Sequence, residues 1–242
     1  HEYTRLGDLT PAGEKNAAYV WYEVEEAVFC IYNNKTILKN FYNIGSSNKY
    51  RYYFDATTGE LQKGAFTVGT AKYYSDPETG VIERSGLFLT ASDGELYYFD
   101  GNGRRVTGWL NLKEQEGEEI VTNRYYFDPA NQGQAASGFT KIGNQYYYFD
   151  PDTRVLQKNA SALIHAEDPE GGEVLYYTGR YEYLLSGWQK VQGIWYYFDP
   201  ATKEGTAASA VTGGDGNWVT LGGNRYYFRY GTTLVKGWQT IK

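Results

Sequence analysis

The chain has one cysteine, six prolines and no methionine in 242 residues. A single thiol, Cys30, excludes an internal disulfide framework and any zinc site built on several cysteines. It lies in the apolar run Ala27-Val28-Phe29-Cys30-Ile31 and reads as a small buried side chain. No apolar run reaches the roughly 18 residues of a membrane-spanning helix, so membrane insertion is not expected. Basic charge is also short. The 23 Lys and Arg against 29 Asp and Glu leave a net charge of −6, where a nucleic-acid binder needs a basic stripe. His165 is the only histidine besides His1, too few for a histidine-built metal centre. The sequence contains no Gly-rich phosphate loop, no nucleophile elbow and no Asp-x-Asp-x-Asp-Gly calcium loop. Paired acids such as Glu25-Glu26 and Glu118-Glu119 lie in polar breaks and read as solvated turns. Neither a catalytic residue nor a metal or cofactor is expected.

What is abundant is tyrosine, at 26 residues, and glycine, at 29. Such a composition is poor material for an oily globular core but suits a thin, layered one of stacked rings. Tyr-Tyr-Phe occurs at 52–54, 97–99, 125–127, 147–149, 196–198 and 226–228, with worn copies at Tyr73-Tyr74 and Tyr176-Tyr177. Their starts lie 20 to 30 residues apart, a period that signals a repeat architecture. Five of the six full copies end in Asp and run into turns rich in Pro, Gly, Thr and Asn. There the Asp carboxylate can accept a backbone N–H two residues on. Gly-apolar pairs such as Gly108-Trp109, Gly138-Phe139 and Gly187-Trp188 open the partner strands. The best-preserved copy, Gly187 to Pro200, reads as one β-hairpin. The expected fold is all-β, a β-solenoid of about eight stacked hairpins over residues 49–242. Residues 1–48 fit the period poorly. Ala18–Tyr32 favours a hairpin broken at Glu25-Glu26, and Asn33–Asn48 is polar. The region is read as a degenerate N-terminal cap, with a small separate β domain as the alternative.

The pattern Gly-Trp-x4-Gly-x-Trp-Tyr-Tyr-Phe-Asp at 187–199 resembles the cell-wall-binding repeat. That superfamily includes choline-binding modules of bacterial surface proteins, glucan-binding repeats of glucansucrases and the oligopeptide repeats of clostridial toxins. The mixture of short and long units is most similar to the toxin and glucan-binding branches, and the ending Val235-Lys236-Gly237-Trp238-Gln239-Thr240-Ile241 resembles the toxin branch. The resemblance implies a hairpin solenoid that attaches rather than catalyses, on a secreted or surface bacterial protein.

Strand alternation puts Tyr196 and Phe198 on one face and Trp195 and Tyr197 on the other. Phe is the most constant member of the run, so its face is assigned to the interior. The outward pair is then the residue before Tyr-Tyr and the second Tyr. In the choline-binding branch that preceding residue is typically Trp and forms one wall of a cation–π site. Here only Trp195 meets the pattern, while Arg51, Lys72, Arg124 and Arg225 carry positive charge. A cation at the lip of a cation site opposes binding, whereas an aromatic platform beside amide or cationic groups suits a neutral sugar. The expected ligand site is Trp188, Gln189, Lys190, Trp195 and Tyr197, followed by Phe139, Tyr146 and Tyr148, and by Trp109 with Tyr126. The expected partner is a polysaccharide or oligosaccharide: a glucan, a host glycan or a cell-wall polymer. Attachment to the producer's wall through choline or another wall polymer, and a purely structural spacer or adhesin stalk, are the alternatives.

Overall fold

The computed structural model describes residues 4–6, 18–89, 93–167, 172–207, 218–221, 223–229 and 233–234. Gly237 and Trp238 lie outside them. The chain divides into two compact units, His1–Trp109 with Tyr126–Ala135, and Leu110–Tyr125 with Ala136–Lys242. Among the described residues there is no α-helix.

In the first unit β1 (Thr4–Arg5), β2 (Tyr19–Val24), β3 (Ala27–Tyr32) and β4 (Thr36–Ile37) form an antiparallel sheet in that order. Hairpins follow: β5 (Asn40–Ile44) with β6 (Tyr50–Phe54), β7 (Gly64–Val68) with β8 (Ala71–Ser75), and β9 (Gly86–Leu89) with β10 (Leu96–Phe99). The long strands β11 (Gly108–Glu116) and β12 (Glu119–Asp128) make a sheet with the short β13 (Gln134–Ala135). In the second unit β14 (Gly138–Ile142) pairs with β15 (Gln145–Phe149), and β16 (Ile164–Glu167) with β17 (Glu173–Tyr176). Two three-stranded sheets complete that unit: β18 (Gly187–Val191), β19 (Ile194–Phe198) and β20 (Gly205–Ala207), then β21 (Trp218–Leu221), β22 (Asn224–Arg229) and β23 (Thr233–Leu234).

Every Tyr-Tyr-Phe run is therefore the second strand of a hairpin, and a short third strand or single bridge follows it. Phe54 opposes Leu61, Ser75 opposes Ile82, Phe99 opposes Arg105 and Phe149 opposes Leu156. These bridging residues tie each hairpin to the one before. In the first unit the N–H groups of Leu61, Ile82 and Arg105 donate to the carbonyls of Val28, Arg51 and Lys72 at 2.8, 2.8 and 2.9 Å. In the second, Leu156 and Leu184 donate to Arg124 and Tyr146 at 2.8 and 2.7 Å. Apart from Val28, the acceptor is each time the residue just before a Tyr-Tyr pair. Successive hairpins within a unit are thus stacked in one repeated way, through main-chain bonds that do not depend on side-chain identity.

The turns follow the chemistry expected of them. Asp55 Oδ1 accepts the N–H groups of Thr57 and Thr58, Asp76 those of Glu78 and Thr79, Asp150 those of Asp152 and Thr153, and Asp199 those of Ala201 and Thr202. Accepting these bonds holds the Asp55, Asp76 and Asp150 carboxyls below their ordinary pKa. Glycine ends such turns for a second reason, close approach. A Cβ on Gly80, at φ +74°, would lie 2.6 Å from Leu61 Cδ2, and one on Gly103, at φ +79°, 2.4 Å from Ile82 Cγ2.

In each unit the core is built largely of rings. Phe54, Phe99, Phe127, Phe149 and Phe198 are each 0 % exposed, as the interior assignment of the Phe face requires. Ser75 and Thr178 take the Phe position in the two worn copies and are also buried. Ser75 Oγ donates to Gln62 O at 2.8 Å, and Thr178 Oγ1 accepts the Asn159 N–H at 3.0 Å, so neither hydroxyl is left unsatisfied.

Two expectations need correcting. The second tyrosine does lie on the outward face of its strand, but in four copies neighbouring groups cover it: Tyr53, Tyr74, Tyr148 and Tyr197 are only 5–8 % exposed, while Tyr98, Tyr126 and Tyr177 are half-buried. Second, the boundary placed after residue 48 falls inside a hairpin. β5 lies ahead of it and pairs with β6 from Asn40–Phe54 to Ile44–Tyr50.

Candidate functional site

Antiparallel register decides which side chains meet. Across β18 and β19, Trp188 opposes Tyr197 and Lys190 opposes Trp195, while Gln189 opposes Tyr196. Alternate pairs point to alternate faces, so Trp188, Lys190, Trp195 and Tyr197 share the outward face. Gln189 lies on the other face with Tyr196, its amide donating to Ser186 O at 3.3 Å. Of the five residues expected here, four come together and Gln189 stands apart. Trp188 and Tyr197 meet edge to face with centroids 5.1 Å apart, and Tyr226 of the next hairpin meets Trp188 the same way at 5.1 Å. Trp188 and Trp195 remain half-buried and Lys190 is exposed, which leaves an aromatic shelf with an ammonium at its rim. Burial, then Tyr226 and Asp199, raises the Tyr197 pKa, so its phenol stays protonated near neutral pH.

The β14–β15 hairpin repeats the plan. Phe139 opposes Tyr148 and Lys141 opposes Tyr146, so all four share a face. Phe139 is 39 % exposed and stacks on Tyr146 at 5.1 Å and on Tyr176 of the next hairpin at 5.9 Å. Tyr176 also packs on Tyr148 at 5.2 Å. Its pKa is pushed up to about 12 by burial and then by Glu204 and Tyr148, and burial raises that of Tyr148 as well. Two ammonium groups attend Tyr146: Lys203 Nζ lies 5.0 Å and Lys141 Nζ 5.5 Å from its ring centroid. Trp109 and Tyr126, in the first unit, form a smaller pair 5.1 Å apart.

Sequence reasoning missed one aromatic set. In the first unit Phe41 packs on Tyr53 at 4.7 Å and on Tyr73 at 5.2 Å, and Phe66 stacks between Tyr53 and Tyr73 at 5.3 Å from each. The Arg51 guanidinium lies 4.5 Å from the Phe41 centroid. Phe41 and Phe66 are half-buried, as Trp188 and Trp195 are, whereas Phe139 of β14–β15 is exposed. The signal was there in Asn40-Phe41, which stands where Gly187-Trp188 stands in the later copy, but a polar surround disguised it. His165 is exposed and contacts Glu173 across the β16–β17 hairpin at 2.6 Å.

Residues 137–152 and 186–200 match the family model of the cell wall binding repeat. They are the hairpins that carry Phe139 to Tyr148 and Trp188 to Tyr197. Among characterised proteins, the chain is 36 % identical over 104 residues to Toxin A of Clostridium novyi, across 39 % of this chain and 4 % of that protein. It is 25 % identical over 200 residues to Glucosyltransferase-S of Streptococcus mutans, across 81 % and 12 %. The chain thus spans a small fraction of the length of either relative. Among solved structures, choline binding protein F of Streptococcus pneumoniae superposes with a TM-score of 0.56 at 22 % identity, covering 97 % of this chain and 70 % of that one. The modular autolysin LytC of the same species gives 0.51 at 17 %, covering 91 % and 47 %. At these identities the structural likeness is one of fold.

Proposed function

We infer that this chain, which carries cell wall binding repeats at 137–152 and 186–200, is a non-catalytic carbohydrate-binding module of a secreted or surface bacterial protein. Its hairpins would wind as a β-solenoid, with glycan or glucan held on aromatic shelves along it. The shelf formed by Trp188, Trp195 and Tyr197 is the first site, that of Phe139, Tyr146 and Tyr148 the second, and Trp109 with Tyr126 the third.

The observation that carries this reading is the company the rings keep. Lys203 and Lys141 lie 5.0 and 5.5 Å from the Tyr146 ring, and Lys190 stands directly opposite Trp195. A quaternary ammonium placed on these rings meets a like charge at about 5 Å, a cost of about 1–3 kcal/mol between bulk water and a protein surface. A neutral sugar meets no such cost. Its C–H face lies on the rings, and its hydroxyls accept from lysine ammonium groups and protonated phenols.

Immobilised α-glucans and a broad glycan array should retain the chain, and Trp188→Ala should weaken retention about tenfold, the equivalent of an aromatic contact of about 1.4 kcal/mol. Failure of every glycan and glucan to retain the chain would falsify this reading. A second reading, attachment to the producer's wall through choline, has one observation in its favour: Trp188, Tyr197 and Tyr226 are in mutual ring contact, with Trp195 on the same face. The likeness to a choline binding protein fits it too. Elution from a choline-type resin by free choline would favour it over the sugar.

A further inference from the structure

The sheet of β1 to β4 has a side that later hairpins keep covered. Its second hairpin strand aligns with the Tyr-Tyr-Phe runs through hydrogen bonding alone. Val28 O accepts from Leu61 as Arg51 O accepts from Ile82. Val28 is therefore the counterpart of Arg51, Phe29 of Tyr52 and Ile31 of Phe54. The third strand agrees. Ile37 opposes Ile31 as Leu61 opposes Phe54, and the Leu38 N–H reaches Cys30 O as the Gln62 N–H reaches Tyr53 O, both at 2.9 Å. Close packing gives the same answer independently. The turn glycine of each following copy sits over these bridging residues: Gly59 over Ile37, Gly80 over Leu61, Gly103 over Ile82.

In the next copy the equivalent face is closed by the hairpin before it. Tyr52 and Phe54 lie 5.3 and 5.9 Å from Trp21 and are 0 % exposed, and Leu61 is 4 % exposed. On the first sheet the same positions are open. Ile37 is 47 % exposed, and Phe29, Ile31 and Ile37, with Tyr22 and Val24, line a concavity of about 460 Å³. Its main chain is open too. Because Leu38 and Cys30 make the flanking bond, Ile31 and Ile37 form a non-hydrogen-bonded pair, and the Ile37 N–H points away from β3. That is the direction in which Leu61 reaches Val28.

We propose that this face is a stacking surface for a further hairpin of the same repeat, placed ahead of Tyr19 in the chain. That hairpin would present a cross-strand pair equivalent to Trp21 and Cys30, and a carbonyl equivalent to Val28 O that accepts the Ile37 N–H. Residues 19–38 are then an internal repeat of an array rather than a cap, whatever ligand the later shelves hold. Both curated relatives are far longer than this chain, and repeat arrays grow by adding units through one nearest-neighbour interface.

The test joins a duplicate of residues 40–63 in front of the intact chain, whose own first residues then serve as the connection. Amide hydrogen exchange is followed residue by residue. In the extended chain the Ile37 amide should exchange at least about tenfold more slowly than in the parent. Ile37→Glu in the extended chain should restore rapid exchange at the residue 37 amide and leave the bonded Leu38 and Leu61 amides protected, which shows that the fold survives. Equal Ile37 exchange in parent and extended chains overturns the proposal. A concentration-dependent doubling of mass in the parent, abolished by Ile37→Glu, also overturns it, because the occupant would then be a second copy.

Discussion

The carboxylate that closes each aromatic run is a turn-forming group, and through it pH acts on the fold. Bonds from Thr58 and Thr57 to Asp55, and from Thr79 to Asp76 and Thr153 to Asp150, lower the folded pKa of each. Their unfolded values lie near 3.9, so the stabilisation is complete above about pH 4 and is lost as pH falls through the lower folded values. Glu83 works in the opposite sense, since burial raises its pKa and its ionisation costs stability. Urea midpoints should therefore fall steeply below about pH 4. The triple variant Asp55→Asn, Asp76→Asn, Asp150→Asn should flatten that slope, and an unchanged slope would place the acid sensitivity elsewhere. Glycine gives the second residue-level contrast. Gly80 and Gly94 share a positive φ, +74° and +72°, but only Gly80 has a side chain in the way, Leu61. Gly94→Ala should cost about 1 kcal/mol for the left-handed backbone, and Gly80→Ala about 2–4 kcal/mol once overpacking is added. Equal costs by urea denaturation would mean that the stack yields at Leu61.

At the level of elements, the hairpins were legible because their signals are local: a ring run, an Asp-led turn, a Gly-apolar entry. The interior Phe face was legible by alternation, and Phe54, Phe99, Phe127, Phe149 and Phe198 are buried. What alternation cannot tell is what covers the other face. Tyr148 is buried under Tyr176 of the following hairpin, a contact with no local signature. The same limit explains Gln189, a neighbour of Trp188 in sequence but on the opposite face in the hairpin. β5 escaped because Asn40, Asn43 and the polar link to Tyr50 obscure a strand whose Phe41 packs like a later Trp. Register also exposes an unfavourable pair that the sequence hides. Glu167 lies directly opposite Glu173, and like charges across an antiparallel pair destabilise it by about 0.2–1 kcal/mol. Glu167→Lys should raise stability by about that much at low ionic strength, with the gain shrinking in high salt. No gain at low salt would mean that Glu173 is already neutralised by His165, 2.6 Å from it.

At the scale of the whole chain, the proposed function rests on repeated aromatic shelves rather than on one deep pocket. With a net charge of −6 and a neutral ligand, retention on immobilised glycan should hardly change between about 0.05 and 0.5 M salt. Capture of an anionic or cationic polymer would be screened away over that range. The shelves on β14–β15 and β18–β19 belong to one compact unit, so a polysaccharide long enough to reach both converts the second contact into an intramolecular one. Linked sites of this kind can exceed single-site affinity by about 10²–10⁴. Phe139→Ala and Trp188→Ala should then behave differently in two assays. Against a short soluble oligosaccharide each should remove one site and leave the other at its own affinity. Against immobilised glucan either one alone should cut retention by more than that shelf's share of the sites, and the double variant should leave only the single-site retention of Trp109 with Tyr126. Proportional losses on both supports would mean that the shelves bind independently and that attachment rests on one of them. Matching losses of thermal stability in both variants would instead identify the rings as packing, since Trp188 and Phe139 each stack on the following hairpin as well as facing solvent.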